Sequence, residues 1–259
     1  ENKDKATFEL SDEELKKIVA ETDTGGRKPT GFAAKVLLLV ALGWSLLQLW
    51  IASPLPFTFG VFVFNDTEAR SVHLALAVFL AFLAYPALKR SPRDRIPVGD
   101  WVLAGDGAFC MAYLFLFYRE LAGRPGLPTT MDLVVAVCGL ILLLEAARRA
   151  LGLPMVILSA VFIGYVFLGP YMPDVIAHRG ASLAKGMSHL WLTTEGVFGV
   201  ALGVSTSFIF LFVLFGSLLA IGTNDLLLAG AAAVVSVVSV AVFSHHWLAK
   251  GFDSESAHS

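Results

Sequence analysis

Apolar residues in this chain gather into long runs, with polar residues confined mostly to the short stretches between them. Seven runs stand out, at about 35–53, 71–88, 101–118, 130–147, 154–170, 197–221 and 226–246. Each approaches or exceeds the roughly 17–25 residues that carry a helix across a hydrocarbon core of about 30 Å. The pattern predicts an all-α fold, a polytopic transmembrane helical bundle of about seven spans. Helix breakers fall between the runs: Pro54 and Pro56 after the first, Pro92 and Pro97 before the third, Gly152 and Pro154 between the fourth and fifth. Thr129, followed by Thr130, Met131 and Asp132, has the position and chemistry of an N-cap for the fourth.

Three stretches depart from this rhythm. Residues 1–32 are polar. Within them Ser11 and Glu14 form a capping-box pattern, and Leu15, Ile18 and Val19 make one apolar stripe, so a short amphipathic helix is expected over about 12–21. Residues 55–64 are apolar but too short to span, which suits an interfacial or re-entrant piece. Residues 171–193 mix Pro173, His178, Arg179, Lys185 and His189 with apolar residues, which suits a helix lying on the membrane face. The polar, mixed-charge opening predicts insertion through internal helices rather than a cleaved leader.

Counting cations gives an orientation. With the N-terminus cytoplasmic, thirteen Lys and Arg fall inside, among them the cluster Lys89, Arg90, Arg93 and Arg95 and the pair Arg148 and Arg149, against six outside. The positive-inside bias therefore predicts N-in. Trp44, Trp50, Trp101, Trp191 and Trp247 stand mostly near run ends, as interface anchors would.

Composition agrees with lipid as the solvent. Of the 259 residues 56% are hydrophobic and only 15% charged, against about a quarter charged in soluble domains. A net charge of −2 with no basic stripe argues against nucleic acid as a partner. Cys110 and Cys138 lie in separate apolar runs and read as core thiols rather than a disulfide framework or metal site.

Candidate chemistry is sparse, and no phosphate loop, nucleophile elbow, haem-ligand pair or metal-ligand spacing is present, so no enzyme and no cofactor is expected. Asp106, between Gly105 and Gly107, either pairs with a neighbouring helix or lies near the headgroups because its helix starts late; the second reading is favoured. Glu145 with Arg149 at i+4, beside Arg148, reads as a local ion pair and inner anchor, with a helix-to-helix clamp as the sharper alternative. His73 reads as interfacial, and His178, His189 and the pair His245-His246 lack companions for a metal. Asn65-Asp66-Thr67 matches a glycosylation sequon, a frequent chance match. Glu195 ahead of a small-residue helix entry containing Gly199 and Gly203 is either a packing face or part of a transporter wall.

The strings TTMDLVVAVCGLILLLEAARRALGLPMVILSAVFIGYVFLGPYMP from Thr129, IAHRG at 176–180 and SHLWLTTEGVFGVALGVSTSFIFLFVLFGSLL at 188–219 resemble the fused permease subunit of TRAP (tripartite ATP-independent periplasmic) transporters, in the branch served by TAXI-type binding proteins. YPALKR at 85–90 and RDRIPVGDW at 93–101 extend the resemblance to roughly 27–222, with the TTEGVFG stretch its most specific part. The resemblance implies a bacterial inner-membrane secondary transporter for organic anions. It further implies a sodium gradient as driving force and a periplasmic TAXI-type substrate-binding protein as partner. By that analogy 1–32 is a cytoplasmic preface, 33–125 small-subunit-like scaffold and 126–222 the start of the large-subunit-like region, followed by a divergent span and tail over 223–259. The family continues past this point into re-entrant hairpins that hold substrate and ion. This chain departs from the pattern near Gly222, so no substrate or ion ligand carries over. The departure leaves three readings: a split permease completed by a separate transport-domain chain, a truncated member, or a scaffold reused as a membrane anchor or assembly protein.

Overall fold

A computed structural model describes residues 26–88 and 90–219. Within them every regular element is helical. Helix α1 runs Gly31–Ala52, α2 Leu55–Phe59, α3 Asp66–Ala84, α4 Val98–Leu116, α5 Tyr118–Ala122, α6 Thr130–Leu151, α7 Leu153–Leu168, α8 Leu183–Trp191, α9 Val200–Val204 and α10 Phe210–Leu219. A 3₁₀ turn, Gly169–Tyr171, follows α7, and a π-helical turn, Ser205–Ile209, follows α9. The chain divides into two units after Phe208; the described part of the second is the apolar helix α10. The expected amphipathic helix at 12–21 and the seventh run at 226–246 lie outside the described residues.

Five helical stretches among the described residues are long and apolar enough to cross a membrane: Gly31–Ala52, Asp66–Ala84, Thr130–Leu151, Leu153–Tyr171 and Val200–Ser217. They match the first, second, fourth, fifth and sixth runs. The third run forms a helix of the same length as α3, but Asp100 and Asp106 bring its hydropathy below that of the five. Of the seven runs expected to span, five are such helices within the described residues.

Local chemistry explains the boundaries. Helix α3 begins at Asp66, five residues before the expected start, because Asn65 caps it. The Asn65 carboxamide accepts from the Glu68 amide at 2.9 Å, while the Glu68 carboxylate accepts from the Asn65 amide at 2.9 Å. The sequon-like tripeptide is therefore a capping box at a helix start. Thr129 caps α6 as expected, again in a reciprocal box, with Asp132 as its partner. Pro97 precedes α4 at φ −60°, already shaped for helix entry, which moves that start forward to Val98. The apolar stretch after α1 makes only the five-residue α2 before the chain reverses through Gly60 at φ 65°, leaving Phe57 and Phe62 exposed.

The centre is the antiparallel pair α3 and α4. Their close approach at mid-length depends on Gly107, where an added Cβ would stand 2.9 Å from Val78 and 3.1 Å from Phe82. Higher up, the Ser71 hydroxyl donates to the Met111 carbonyl at 2.6 Å and accepts from the Phe115 amide at 3.2 Å, joining the two backbones. Helix α6 packs across this pair, α1 lies against α3, and α7 and α8 lie against α6. Fully buried Phe82, Leu83, Met111, Leu114, Ala136, Trp191 and Phe198 fill the interior. By contrast, only 6% of the apolar stretch of α1, and 6% of that beginning with α7, is buried among the described residues, so these helices turn most of their surface away from the interior.

Part of the 171–193 stretch forms a helix, the nine-residue α8. Its inward stripe Gly186, Met187, Ser188 and Trp191 is buried. Trp191 is thereby not an interface anchor. It is fully buried, edge-on to Phe198 with ring centroids 5.4 Å apart, and its ring occupies the space a side chain at Gly139 of α6 would need. Replacing Gly139 with Leu should therefore cost about 1–3 kcal/mol through overpacking, read as a lower melting temperature in detergent; a melt unchanged from the native chain would show that Trp191 does not dock there.

Candidate functional site

The polar side chains of the described residues are not scattered. They gather at the two ends of α6, at the entrance to α9 and in one knot between α1 and α3.

At one end of α6, Asp100 sits between two arginines. Arg149 donates to its Oδ1 at 2.8 Å, and Arg27 forms an ion pair with its Oδ2. Both guanidiniums are withdrawn from solvent, with side chains 0% exposed for Arg27 and 2% for Arg149. Arg149 also donates to Glu145 at 2.8 Å and lies 4.8 Å over the Phe82 ring, a cation–π contact. Glu145 receives both arms of Arg148, at 2.6 and 2.7 Å, and Arg148 reaches the Ala87 carbonyl at 2.8 Å. Arg27 further donates to the carbonyls of Phe82 and Leu83 at 3.2 Å each and of Pro92 at 3.3 Å, while its amide donates to Ala84 at 2.7 Å. Those Phe82, Leu83 and Ala84 carbonyls belong to the last turn of α3, which has no helical partners of its own. Three cations and two anions thus join the segment before α1, the end of α3, the start of α4 and the end of α6. The structure holds both readings of this trio: Glu145 pairs locally with Arg148 and Arg149, and Arg149 also reaches Asp100 of α4.

At the other end of α6, fully buried Asp132 collects four donors. The Tyr113 hydroxyl of α4 donates to Oδ1 at 2.7 Å, the Thr129 amide to Oδ2 at 2.7 Å, and Arg124 to Oδ1 at 3.1 Å and to Oδ2. The hydrogen bond to Asp132 raises the Arg124 pKa above its ordinary value. A cavity of about 230 Å³ opens beside it, lined by Thr67, Tyr118, Arg124, Ser188 and Thr193 among others.

At the entrance to α9, Arg70 of α3 donates to the carbonyls of Phe198 and Gly199 at 3.0 and 3.2 Å and pairs with Asp66. Gly203 supplies the room: a Cβ there would lie 2.7 Å from the Arg70 guanidinium. Gly203 therefore lets an arginine approach rather than a second helix backbone. Gly199 stands just outside α9, where a Cβ would meet the Gly196 carbonyl at 2.7 Å. Glu195 is exposed and faces His189 at 2.9 Å.

Within α3, His73 is buried, not interfacial. The Trp44 indole donates to its Nδ1 at 3.2 Å. Gln48 lies beside it, its Oε1 3.3 Å from the same nitrogen, and its amide donates to the Thr206 carbonyl in the π turn. A backbone carbonyl loosened by a π turn inside an apolar span needs such a donor.

Asp106 corrects the favoured reading. Its helix starts early, at Val98, so Asp106 is the ninth of nineteen residues; it is exposed and makes no hydrogen bond or ion pair among the described residues. Cys110 and Cys138 are both free. No group of three His, Cys, Asp or Glu among the described residues is arranged to hold a metal ion.

Sequence reasoning named Glu145, Arg148 and Arg149 but missed Arg27, Asp100, Asp132, Tyr113, Arg124, Arg70 and Gln48. A signal was present in Asp100, an acid at the start of one span, and Arg149, a base at the end of the next, which meet if those spans pack antiparallel. Comparison with known proteins adds no relative: no family, curated protein or solved structure matches this chain.

What this arrangement can do is fasten. In these clusters Asp100 and Asp132 are held by donors from other segments, and Glu145 by the arginines of its own helix. Breaking a buried ion pair by removing one partner strands the other charge, at about 3–5 kcal/mol. Asp100→Ala, which strands two arginines, should lower stability by at least about 3 kcal/mol, whereas Asp100→Ala combined with Arg149→Met should recover part of that loss. Equilibrium unfolding in mixed micelles measures both; additive effects of the two substitutions would show that the pair is not coupled.

Proposed function

We propose that this chain is the scaffold-like membrane subunit of a TRAP-type secondary transporter, supporting ion-gradient-driven uptake of an organic anion delivered by a periplasmic TAXI-type binding protein. In this reading the chain lies in the bacterial inner membrane with its N-terminus cytoplasmic, so that the Asp100 cluster faces the cytoplasm and the Asp132 cluster the periplasm. Helix α4 crosses with α3, to which it is joined along its length.

The observation that carries the proposal is the fastening of α6 at both ends by buried carboxylates, Asp100 at one and Asp132 at the other. A transport domain must slide or rotate relative to its surroundings. A scaffold must not. Helices pinned to each other at both membrane faces suit the second role, and the resemblance of 27–222 to the TRAP permease supplies the system in which such a scaffold works. The buried carboxylates Asp100 and Asp132 and their arginines serve that pinning, and in this reading the substrate and sodium sites belong to a separate transport-domain chain.

Two measurements made together test this. An affinity-tagged copy expressed from its own locus should co-purify with a permease-type membrane chain, and deleting the gene should abolish sodium-dependent uptake of the organic anion that the co-purifying system carries. Stable membrane insertion with uptake unaffected by deletion would instead identify a membrane anchor or assembly protein without transport activity.

A further inference from the structure

Beside the clamp, the first turn of α1, the segment entering α4 and the first turn of α4 enclose an open groove of about 470 Å³. Thr30, Phe32, Ala33, Asp94, Arg95, Ile96 and Trp101 line it. Its two ends differ in character. One wall is aromatic: Phe32 is 77% exposed, and its ring centroid lies 6.5 Å from that of Trp101. Above Phe32 the same stripe of α1 continues through Leu39 and Leu46, both exposed, so an apolar rail leads from the groove along the membrane-facing side of the helix.

The other end is polar and cationic. Arg95 is exposed and, unlike Arg27, Arg148 and Arg149, makes no hydrogen bond or ion pair with the described chain. Thr30 stands at the N-cap position of α1 without capping it. Lys28, Lys35 and Arg93, all exposed, flank the lining residues in sequence, against the single acid Asp94. The groove therefore joins an excess of positive charge, unpaired among the described residues, to an aromatic belt and an aliphatic rail, at the end of a helix apolar enough to cross the membrane.

We propose that this groove is a binding site for one anionic phospholipid. The Arg95 guanidinium holds the phosphate, the Thr30 hydroxyl donates to it, Phe32 and Trp101 flank the glycerol region, and the acyl chains lie along Leu39 and Leu46. Arginine suits the task because its planar fork can donate two parallel hydrogen bonds to a phosphate, and basic residues at the membrane surface attract anionic lipid. A free phosphate would leave the aromatic wall and the rail unused. The site depends only on the chain's membrane embedding, and not on the transporter reading.

The test uses the purified full chain in a neutral detergent, with melting followed as phosphatidylglycerol or acyl-matched phosphatidylcholine is added. Phosphatidylglycerol should raise Tm by roughly 3–5 °C more than phosphatidylcholine, as expected for a ligand well above its Kd. Arg95→Gln should remove most of that difference, and Arg90→Gln, in the same basic segment but outside the groove, should keep it. Ala33→Phe fills the groove with its charges intact and should also remove the difference, so the outcome does not hang on one variant. Equal effects of the two lipids on the native chain would overturn the site. So would an equal loss in Arg90→Gln and Arg95→Gln, which would mean diffuse attraction to a basic surface, or a rise of the same size with inorganic phosphate.

Discussion

Asp100 stands where four segments of the chain would otherwise have no reason to meet. Two guanidiniums removed from water, those of Arg27 and Arg149, depend on its carboxylate for their charge balance. In hydrocarbon neither helix association nor loop placement gains much from burying apolar surface, since lipid is as apolar as the helices themselves. What distinguishes one packing from another is whether polar groups find partners. The last-turn carbonyls of α3 find Arg27, and Asp100 finds both Arg27 and Arg149, contacts that bring the end of α3, the start of α4 and the end of α6 to the same height. The ion cluster therefore sets register as well as proximity.

The remaining polar groups repeat this logic at other depths. Asp132 joins α4, α6 and the loop through Arg124, and Arg70 joins α3 to the turn before α9. Gln48 meets the carbonyl that the π turn releases. Around this frame the small residues have specific tasks. Gly107 admits Val78 and Phe82, Gly139 admits Trp191, and Gly203 admits an arginine. Helices α1 and α7 take little part in the frame and present their side chains outward. The scaffold role proposed for this chain draws on this polar frame inside an apolar sheath.

Hydropathy runs made most helices legible in the sequence, because a membrane span must be continuously apolar and leaves a signal twenty residues long. Starts were less legible where a polar residue belonged to the helix. Asn65 and Glu68 read as loop until their reciprocal cap is seen, and Asp100 lowers the hydropathy of α4 because it is solvated by arginines rather than by water. Trp191 and His73 were misplaced for a related reason: residue type predicts an interface, but the space above Gly139 and the Trp44 indole supply interior partners that lie far apart in sequence. The clamp itself was half legible. Glu145, Arg148 and Arg149 share a helix and announce each other by spacing, whereas Arg27 and Asp100 are 73 residues apart and nothing local connects them.

The central claim is that the Asp100 cluster fixes the mutual position of α4 and α6. Pulsed electron–electron distance measurement tests it directly, with spin labels at Val98→Cys and Leu151→Cys, both exposed at the clamped end, in a chain whose Cys110 and Cys138 are replaced by Ala and which is held in lipid nanodiscs. The account predicts one narrow distance distribution that broadens when Asp100→Ala is added. A distribution that is already broad with Asp100 present, or equally narrow without it, would contradict the account.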